Sequence, residues 1–298
     1  MNAAPVAMDA VSGVGPAAPI WRIGGRVLDL SRPLIMGIVN VTPDSFSDGG
    51  RFLDPEAAQA QARRLIEEGA DILDIGAEST RPGAADVPAD VEIARILPQL
   101  RALRPLGVPL SVDTSKPAVM RAALAAGAAI VNDVRALQAP EAVEAVRDSD
   151  CGLVLMHMQG APRTMQANPH YDDVVREVGD FLQARVAALT QAGIVAERIV
   201  VDPGFGFGKT VAHNYTLLRE LGALAARGRP VLAGLSRKSM LGAVTGRAVG
   251  DRVMASVAAA LLAVERGARI VRVHDVAATR DALQVRAALS MEEQKGQG

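Results

Sequence analysis

"DPEAAQAQARRLIEEGADILDIGA", residues 54–77, holds one helix and one strand, in the order that decides the fold. Asp54 and Pro55 supply an N-cap and a first-turn proline, and Gly69 marks the helix stop. The run "DILDIGA" (71–77) follows at once. Its near-continuous hydrophobicity over strand length is the mark of a parallel strand covered on both faces.

The same unit recurs outward in both directions. "LIMGIVNV" (34–41) precedes it, and "PLSVDT" (109–114), "AIVNDV" (129–134) and "GLVLMHM" (152–158) follow. "IVVDPG" (199–204), "PVLAGLS" (230–236) and "IVRVHDV" (270–276) complete the series. Ala-, Glu- and Arg-rich stretches with helical spacing lie between them, such as "YDDVVREVGDFLQARVAALTQAG". Eight strand–helix alternations predict a single-domain (β/α)8 TIM barrel over residues 21–290. A doubly wound open sheet is the rival, and the count of eight with its uniform rhythm favours the barrel. Residues 1–20, rich in Ala, Pro and Gly without a basic start, are expected to be a disordered leader, and residues 291–298 a frayed tail.

Bulk composition narrows the function. The 298 residues carry a net charge of -1, so nothing electrostatic favours nucleic acid or an anionic membrane. No apolar run is long enough to span a bilayer. One cysteine, Cys151, rules out an internal disulfide and fits a reducing compartment, so a cytoplasmic protein is expected. Among apolar neighbours, Cys151 reads as a small buried side chain.

In a (β/α)8 barrel the chemistry sits at the C-terminal ends of the strands. The polar groups there are Asn40, Asp74 with Glu78, Asp113, Asn132, His157, Asp202, Ser236 with Lys238, and Arg272 with His274. Asn and Asp are poor strand residues, yet four strands end on one. Arg272 and His274 share parity with Ile270, so both leave the strand on one face, as an oxyanion or phosphate would require. "SRKSMLG" (236–242) adds Arg237, Lys238 and Ser239 in the region where such barrels hold phosphate.

Other motifs fail. "PGFGFGKT" (203–210) has Pro where a P-loop needs its first Gly, so ATP binding is not indicated. Its glycines are expected to let the backbone turn closely beside a ligand, with one Phe as a flat wall. His157, His170, His213 and His274 are scattered, and no zinc spacing exists. Mg²⁺ needs only one or two protein oxygens besides phosphate and water, so it stays open. Loops 42–53 and 78–88 are long for βα connections, a length that is commonly functional.

"IMGIVNVTPDSFSDGG", "GADILDIGAESTRPGA", "SVDTSKP", "VNDV", "DPGFGFGK", "GLSRKSMLG" and "VRVHDV", in that order over residues 32–290, resemble the dihydropteroate synthase family of folate biosynthesis. The resemblance implies condensation of 6-hydroxymethyl-7,8-dihydropterin diphosphate with p-aminobenzoate, giving 7,8-dihydropteroate and diphosphate. It places Asp113, Asn132, Asp202, Lys238 and Arg272 at the pterin, with Asn40, Arg81, Arg272 and His274 at the diphosphate. Phe46, Thr80, Pro82, Phe207, Lys238 and Ser239 fall at the p-aminobenzoate site, where sulfonamides compete in this family. The resemblance also implies that Lys238, Arg272, His274, Asp113 and Asp202 carry the chemistry and that Mg²⁺ sits at Asn40. A homodimer is implied too, with the apolar stretch 253–264 as its surface.

The residues agree with that picture. Two carboxylates and an Asn suit the alternating donors and acceptors of an amino-pyrimidinone edge. The aryl amine is already neutral, so the chemistry needs a stabilised leaving group rather than a strong base. Departure of diphosphate before amine attack is preferred, with direct displacement as the alternative. In "NVTPDSFSDGG" (40–50), Phe46 reads as the aromatic cover of a lid. A pterin-binding methyltransferase domain and a non-catalytic paralogue are the rivals. The first has no use for "TRPG" and "SRKS", and the second is expected to have lost them.

Overall fold

The computed structural model of the protein describes residues 19–41, 55–78, 87–161 and 164–295. The first ordered element is a hairpin that the eight-unit rhythm does not anticipate: β1 (Ile20–Ile23) paired antiparallel with β2 (Arg26–Asp29). Gly24 and Gly25 turn it, both at positive φ (47° and 76°), the geometry of the tight turns that match strand twist. The alternation sends Trp21 and Ile23 inward, and both are fully buried. Trp21 Nε1 donates to the Arg198 carbonyl at 2.8 Å, just before a barrel strand begins. At Gly152, the first residue of another strand, a Cβ would lie 2.3 Å from Ile23 Cγ2. The hairpin therefore plugs the N-terminal end of the barrel and leaves the opposite end for the site.

The barrel closes as expected. Its strands are β3 (Leu34–Asn40), β4 (Ile72–Gly76), β5 (Leu110–Asp113) and β6 (Ile130–Asp133), then β7 (Gly152–Met156), β8 (Ile199–Asp202), β9 (Val231–Ala233) and β10 (Ala268–Val273). All neighbours pair in parallel, and β10 returns to β3. Each strand falls within or beside its predicted apolar run. Alternation splits every strand between two cores. Ile35, Val39, Leu73, Ile75, Leu110 and Val112 face the surrounding helices. Met36, Ile72, Ile130, Val154, Val200, Leu232 and Ile270 fill the inside with Trp21 and Ile23. Further along at the same parity the inward set turns polar: Asn40, Asp74, Asn132, Asp202 and Arg272, joined by Asp113 two residues past the buried Ser111.

The helices are α1 (Pro55–Glu67), α2 (Ala89–Leu103), α3 (Pro117–Ala125), α4 (Ala142–Arg147) and α5 (Val174–Gln191). After them come α6 (Val211–Arg219), α7 (Leu221–Ala225), α8 (Ser239–Thr245), α9 (Val253–Glu265) and α10 (Val276–Lys295). Gly69 adopts φ 100° directly after α1, as its reading as a stop requires. The N-cap assigned to Asp54 lies outside the described residues. The backbone of α10 stays helical to Lys295, past residue 291 where fraying is expected. On α9, Met254 and Leu262 are exposed while Ala259, Ala260 and Ala263 pack inward. Cys151 is buried, in agreement with its sequence reading.

Candidate active site

Four of the polar strand-end residues are hydrogen-bonded together inside the C-terminal mouth. The centre is Arg272 on β10. Its Nε donates to Asp74 Oδ2 at 2.6 Å and its Nη2 to Asp113 Oδ2 at 2.8 Å. Asn132 Nδ2 donates to the same Asp74 oxygen at 3.1 Å. One guanidinium and one carboxylate thus tie β10, β4, β5 and β6 together across the barrel. Register puts Asp113 beside Asn132 and, across Gly76, near Asn40. Asp74 lies a layer deeper, opposite Ser111.

Burial shapes the charges. It raises the Asp113 carboxyl to about 7; Arg272 pulls the other way, and Asp74 and Asp133 add to the rise. Burial also raises Asp202, against the pull of Lys238 and of the Gly204 N–H that Asp202 Oδ1 accepts at 2.7 Å. Burial lowers Lys238 to about 8, with Asp202 opposing. For Arg272, burial works downward but Asp74 and Asp113 outweigh it, so the guanidinium is held charged.

Lys238 stands at the N-terminal boundary of α8, with its Nζ donating to the Phe205 carbonyl and lying 4.4 Å from the Phe207 ring centre. The backbone just before it is strained: Arg237 adopts φ 60°, a left-handed conformation that costs a non-glycine residue free energy. Three contacts hold it there. The Arg237 N–H donates to Ser256 Oγ at 2.9 Å, Arg237 Nη2 pairs with Asp275 at 2.5 Å, and Arg252 Nη1 donates to the Arg237 carbonyl at 3.0 Å. The sequence reading that pooled Arg237 with the phosphate cations is therefore corrected: Asp275 engages its charge. Arg272 likewise faces two carboxylates, so the mouth is more nearly balanced than a cation pair.

His274 follows β10. Its Nδ1 lies 3.0 Å from Ser236 Oγ, which also accepts the His274 backbone N–H at 3.2 Å, so the β9 loop orients the ring. Ser239 opens α8 and is exposed, Phe207 is half-buried beside Lys238, and Asn40 is half-buried at the end of β3. Phe46, Thr80, Arg81 and Pro82 lie outside the described residues.

The glycine-rich turn differs from its sequence reading. Gly204 and Gly208 approach protein backbone rather than a ligand. A Cβ at Gly204 would fall 2.0 Å from the His157 carbonyl oxygen, and one at Gly208 would fall 2.4 Å from that of Gln159. Phe205 is wholly buried core. The device that holds this turn is Lys209, which sequence reasoning placed only in a failed P-loop. Its buried Nζ donates to the Gly204 and Phe207 carbonyls, both at 3.0 Å, and to His157 Nδ1 at 2.9 Å. Burial lowers Lys209 to about 7, and burial with Lys209 nearby lowers His157 to about 3, which keeps the imidazole a neutral acceptor.

Among the described residues no cluster of His, Cys, Asp or Glu is suited to a metal. Asn40 offers a single amide oxygen at the rim, which fits a hard cation that takes its remaining oxygens from phosphate and water. Among the described residues no helix is long and apolar enough to cross a membrane.

Residues 36–274 match the model of the pterin binding enzyme family. A dihydropteroate synthase of Haemophilus influenzae is 52% identical over 261 residues, covering 87% of this chain and 95% of its own length. The dihydropteroate synthase of Xanthomonas albilineans, solved with 4-aminobenzoic acid, is 55% identical with a TM-score of 0.87, over 92% of this chain and 99% of that one. That of Burkholderia cenocepacia, solved with 7,8-dihydropteroate, is 56% identical with a TM-score of 0.86, over 93% and 99%.

Proposed function

The chain belongs to the pterin binding enzyme family, and from that premise we propose that it is a dihydropteroate synthase. It joins 6-hydroxymethyl-7,8-dihydropterin diphosphate to p-aminobenzoate, releasing 7,8-dihydropteroate and diphosphate. The observation that carries this reading is the constellation at one mouth of the barrel of buried Asn132 and Asp202 with half-buried Asp113, Lys238 and Arg272. Two carboxylates and an amide meet the donors and acceptors of a pterin edge, and burial makes each mismatch costly. Relatives of high identity and near-complete coverage carry the same name, and two solved ones hold 4-aminobenzoic acid and 7,8-dihydropteroate.

The chemistry follows from charge. The bond from the methylene carbon to the diphosphate oxygen breaks, and diphosphate takes the electron pair. Arg272 and His274, with Arg81 from the 78–88 loop, stabilise the charge that develops there. The methylene cation is delocalised into the electron-rich dihydropterin. The p-aminobenzoate nitrogen supplies its lone pair to that carbon and loses a proton. Mg²⁺ bound at Asn40 would add Lewis-acid stabilisation of the leaving diphosphate. Lys238 and Phe207, stacked as cation and ring, form one wall of the p-aminobenzoate site. Ser239 lines it, joined by Phe46, Thr80 and Pro82 from the two long loops. The working unit is a cytoplasmic homodimer that buries the exposed apolar residues of α9.

The test is diphosphate release by the purified protein with both substrates and Mg²⁺. Release should require the intact site and fall at least about a hundredfold in Lys238→Ala, as expected when a transition-state contact is lost. Tight pterin binding with no turnover in the wild type would point instead to a non-catalytic paralogue. Isotope scrambling between bridging and non-bridging diphosphate oxygens, without p-aminobenzoate, is expected for departure before attack. Its strict absence with full inversion at a labelled methylene would establish direct displacement.

A further inference from the structure

We propose that Asp74, which lies beneath the pterin-facing groups, is a positioning residue that fixes both Arg272 and Asn132 for the dihydropterin. This rests on the reading of the site as a pterin site. Asp74 is wholly buried. Both of its side-chain bonds converge on one oxygen, with Arg272 Nε at 2.6 Å and Asn132 Nδ2 at 3.1 Å. The second oxygen, Oδ1, has no protein partner among the described residues, and neither does the buried Ser111 Oγ on the adjacent strand. A fully buried carboxylate with one oxygen unpaired is a poor device for stability, since apolar packing would serve that end better. Its value is geometric.

Two consequences follow from the bond pattern. Arg272 reaches Asp74 with Nε and Asp113 with Nη2, so the guanidinium plane is set by two fixed points on neighbouring strands. Without Asp74 it keeps only Asp113 of these two carboxylates and is free to turn its fork onto that group as a bidentate pair. Both Asp113 oxygens, rather than Oδ2 alone, would then be engaged by the protein's own arginine, although Asp113 is one of the carboxylates assigned to the ligand. Asn132 is affected in a parallel way. One of its amide hydrogens goes to Asp74, and this fixes which side of the amide faces the mouth. Asp74 therefore determines the donor and acceptor order presented by two of the pterin groups without occupying the p-aminobenzoate wall.

The experiment compares Asp74→Asn, Arg272→Met and the double variant, with pterin affinity measured directly by quenching of pterin fluorescence. KM for each substrate is measured separately. Wild-type binding and turnover come first. If the wild type fails to bind pterin, the functional reading falls and the variants are not needed. Given wild-type binding, Asp74→Asn should weaken pterin affinity by roughly 10- to 100-fold, the scale typical of lost outer-shell support. KM for p-aminobenzoate should stay within about threefold. In the Arg272→Met background, adding Asp74→Asn should cost clearly less than it does in the wild type, because the part exerted through Arg272 is already gone and only the part exerted through Asn132 remains. Equal losses for both substrates, an unchanged pterin affinity, or full additivity in the double variant would each overturn the assignment. Should Asp74→Asn alone fail to fold, the double variant removes both charges and is expected to fold. Its pterin affinity against Arg272→Met then decides the matter alone.

Discussion

Asp113 illustrates how environment sets chemistry at a single residue. Removal from water raises its carboxyl to about 7, so around neutrality it is divided between acid and carboxylate. Lys238, lowered to about 8, loses its proton not far above. If the pterin requires Asp113 ionised and Lys238 charged, kcat/KM for the pterin diphosphate should fall below about pH 7 and above about pH 8. The acid limb should disappear in Asp113→Asn, at a lower plateau. A limb that persists in Asp113→Asn belongs to the substrate diphosphate and contradicts the assignment. In the folding balance the sign is opposite for the two residues. The raised Asp113 contributes stability fully present below its ordinary pKa of 3.8 and lost as pH rises through about 7. The lowered Lys238 contributes stability present above 10.5 and lost as pH falls through about 8.

At the scale of elements, two connections hold the site and both resist reading from sequence. The β9–α8 turn keeps Arg237 at φ 60° by means of Ser256, Asp275 and Arg252, all distant in the chain. Ser256→Ala removes the acceptor of a main-chain N–H. It should cost about 1–3 kcal/mol in urea unfolding and raise KM through displacement of Lys238; an unchanged midpoint would show the turn to be self-supporting. The β8–α6 turn depends on Lys209, whose ammonium gathers two turn carbonyls and His157. Lys209→Met keeps the stem and removes the donors. It should weaken p-aminobenzoate binding, since Phe205 and Phe207 both bear on Lys238, and near-wild-type kinetics would refute that role. The barrel itself was legible because each parallel strand is covered on both faces and reads as a continuous apolar run. The β1–β2 hairpin was not, since its four-residue strands bury only Trp21 and Ile23 on one face and give no such run. Asp74 was visible as a strand-end carboxylate. Its link to Arg272 spans 198 residues, and Arg237 finds Asp275 across 38; local pattern carries no trace of either pairing.

The molecule as a whole is a barrel stoppered at one end and chemically equipped at the other. Trp21, Ile23 and the inner aliphatic layer fill the floor, so polar side chains pointing inward near the C-terminal ends stand over a dry base that strengthens their mutual electrostatics. On the outside, Met254 on α9 is 78% exposed and Leu262 45%, joined on α10 by Val285 at 73% and Leu289 at 65%. Leu262→Glu combined with Met254→Glu should convert a dimer to monomer in sedimentation, with catalysis largely kept; a wild-type monomer would remove that expectation. At this mouth, loss of diphosphate is coupled to formation of one carbon–nitrogen bond. The most direct test is the stoichiometry of products under single-enzyme turnover, with diphosphate and 7,8-dihydropteroate quantified together by mass spectrometry. Equal amounts of the two, both dependent on p-aminobenzoate, are predicted. Diphosphate without the conjugate, or neither product from a protein that binds the pterin, would contradict it.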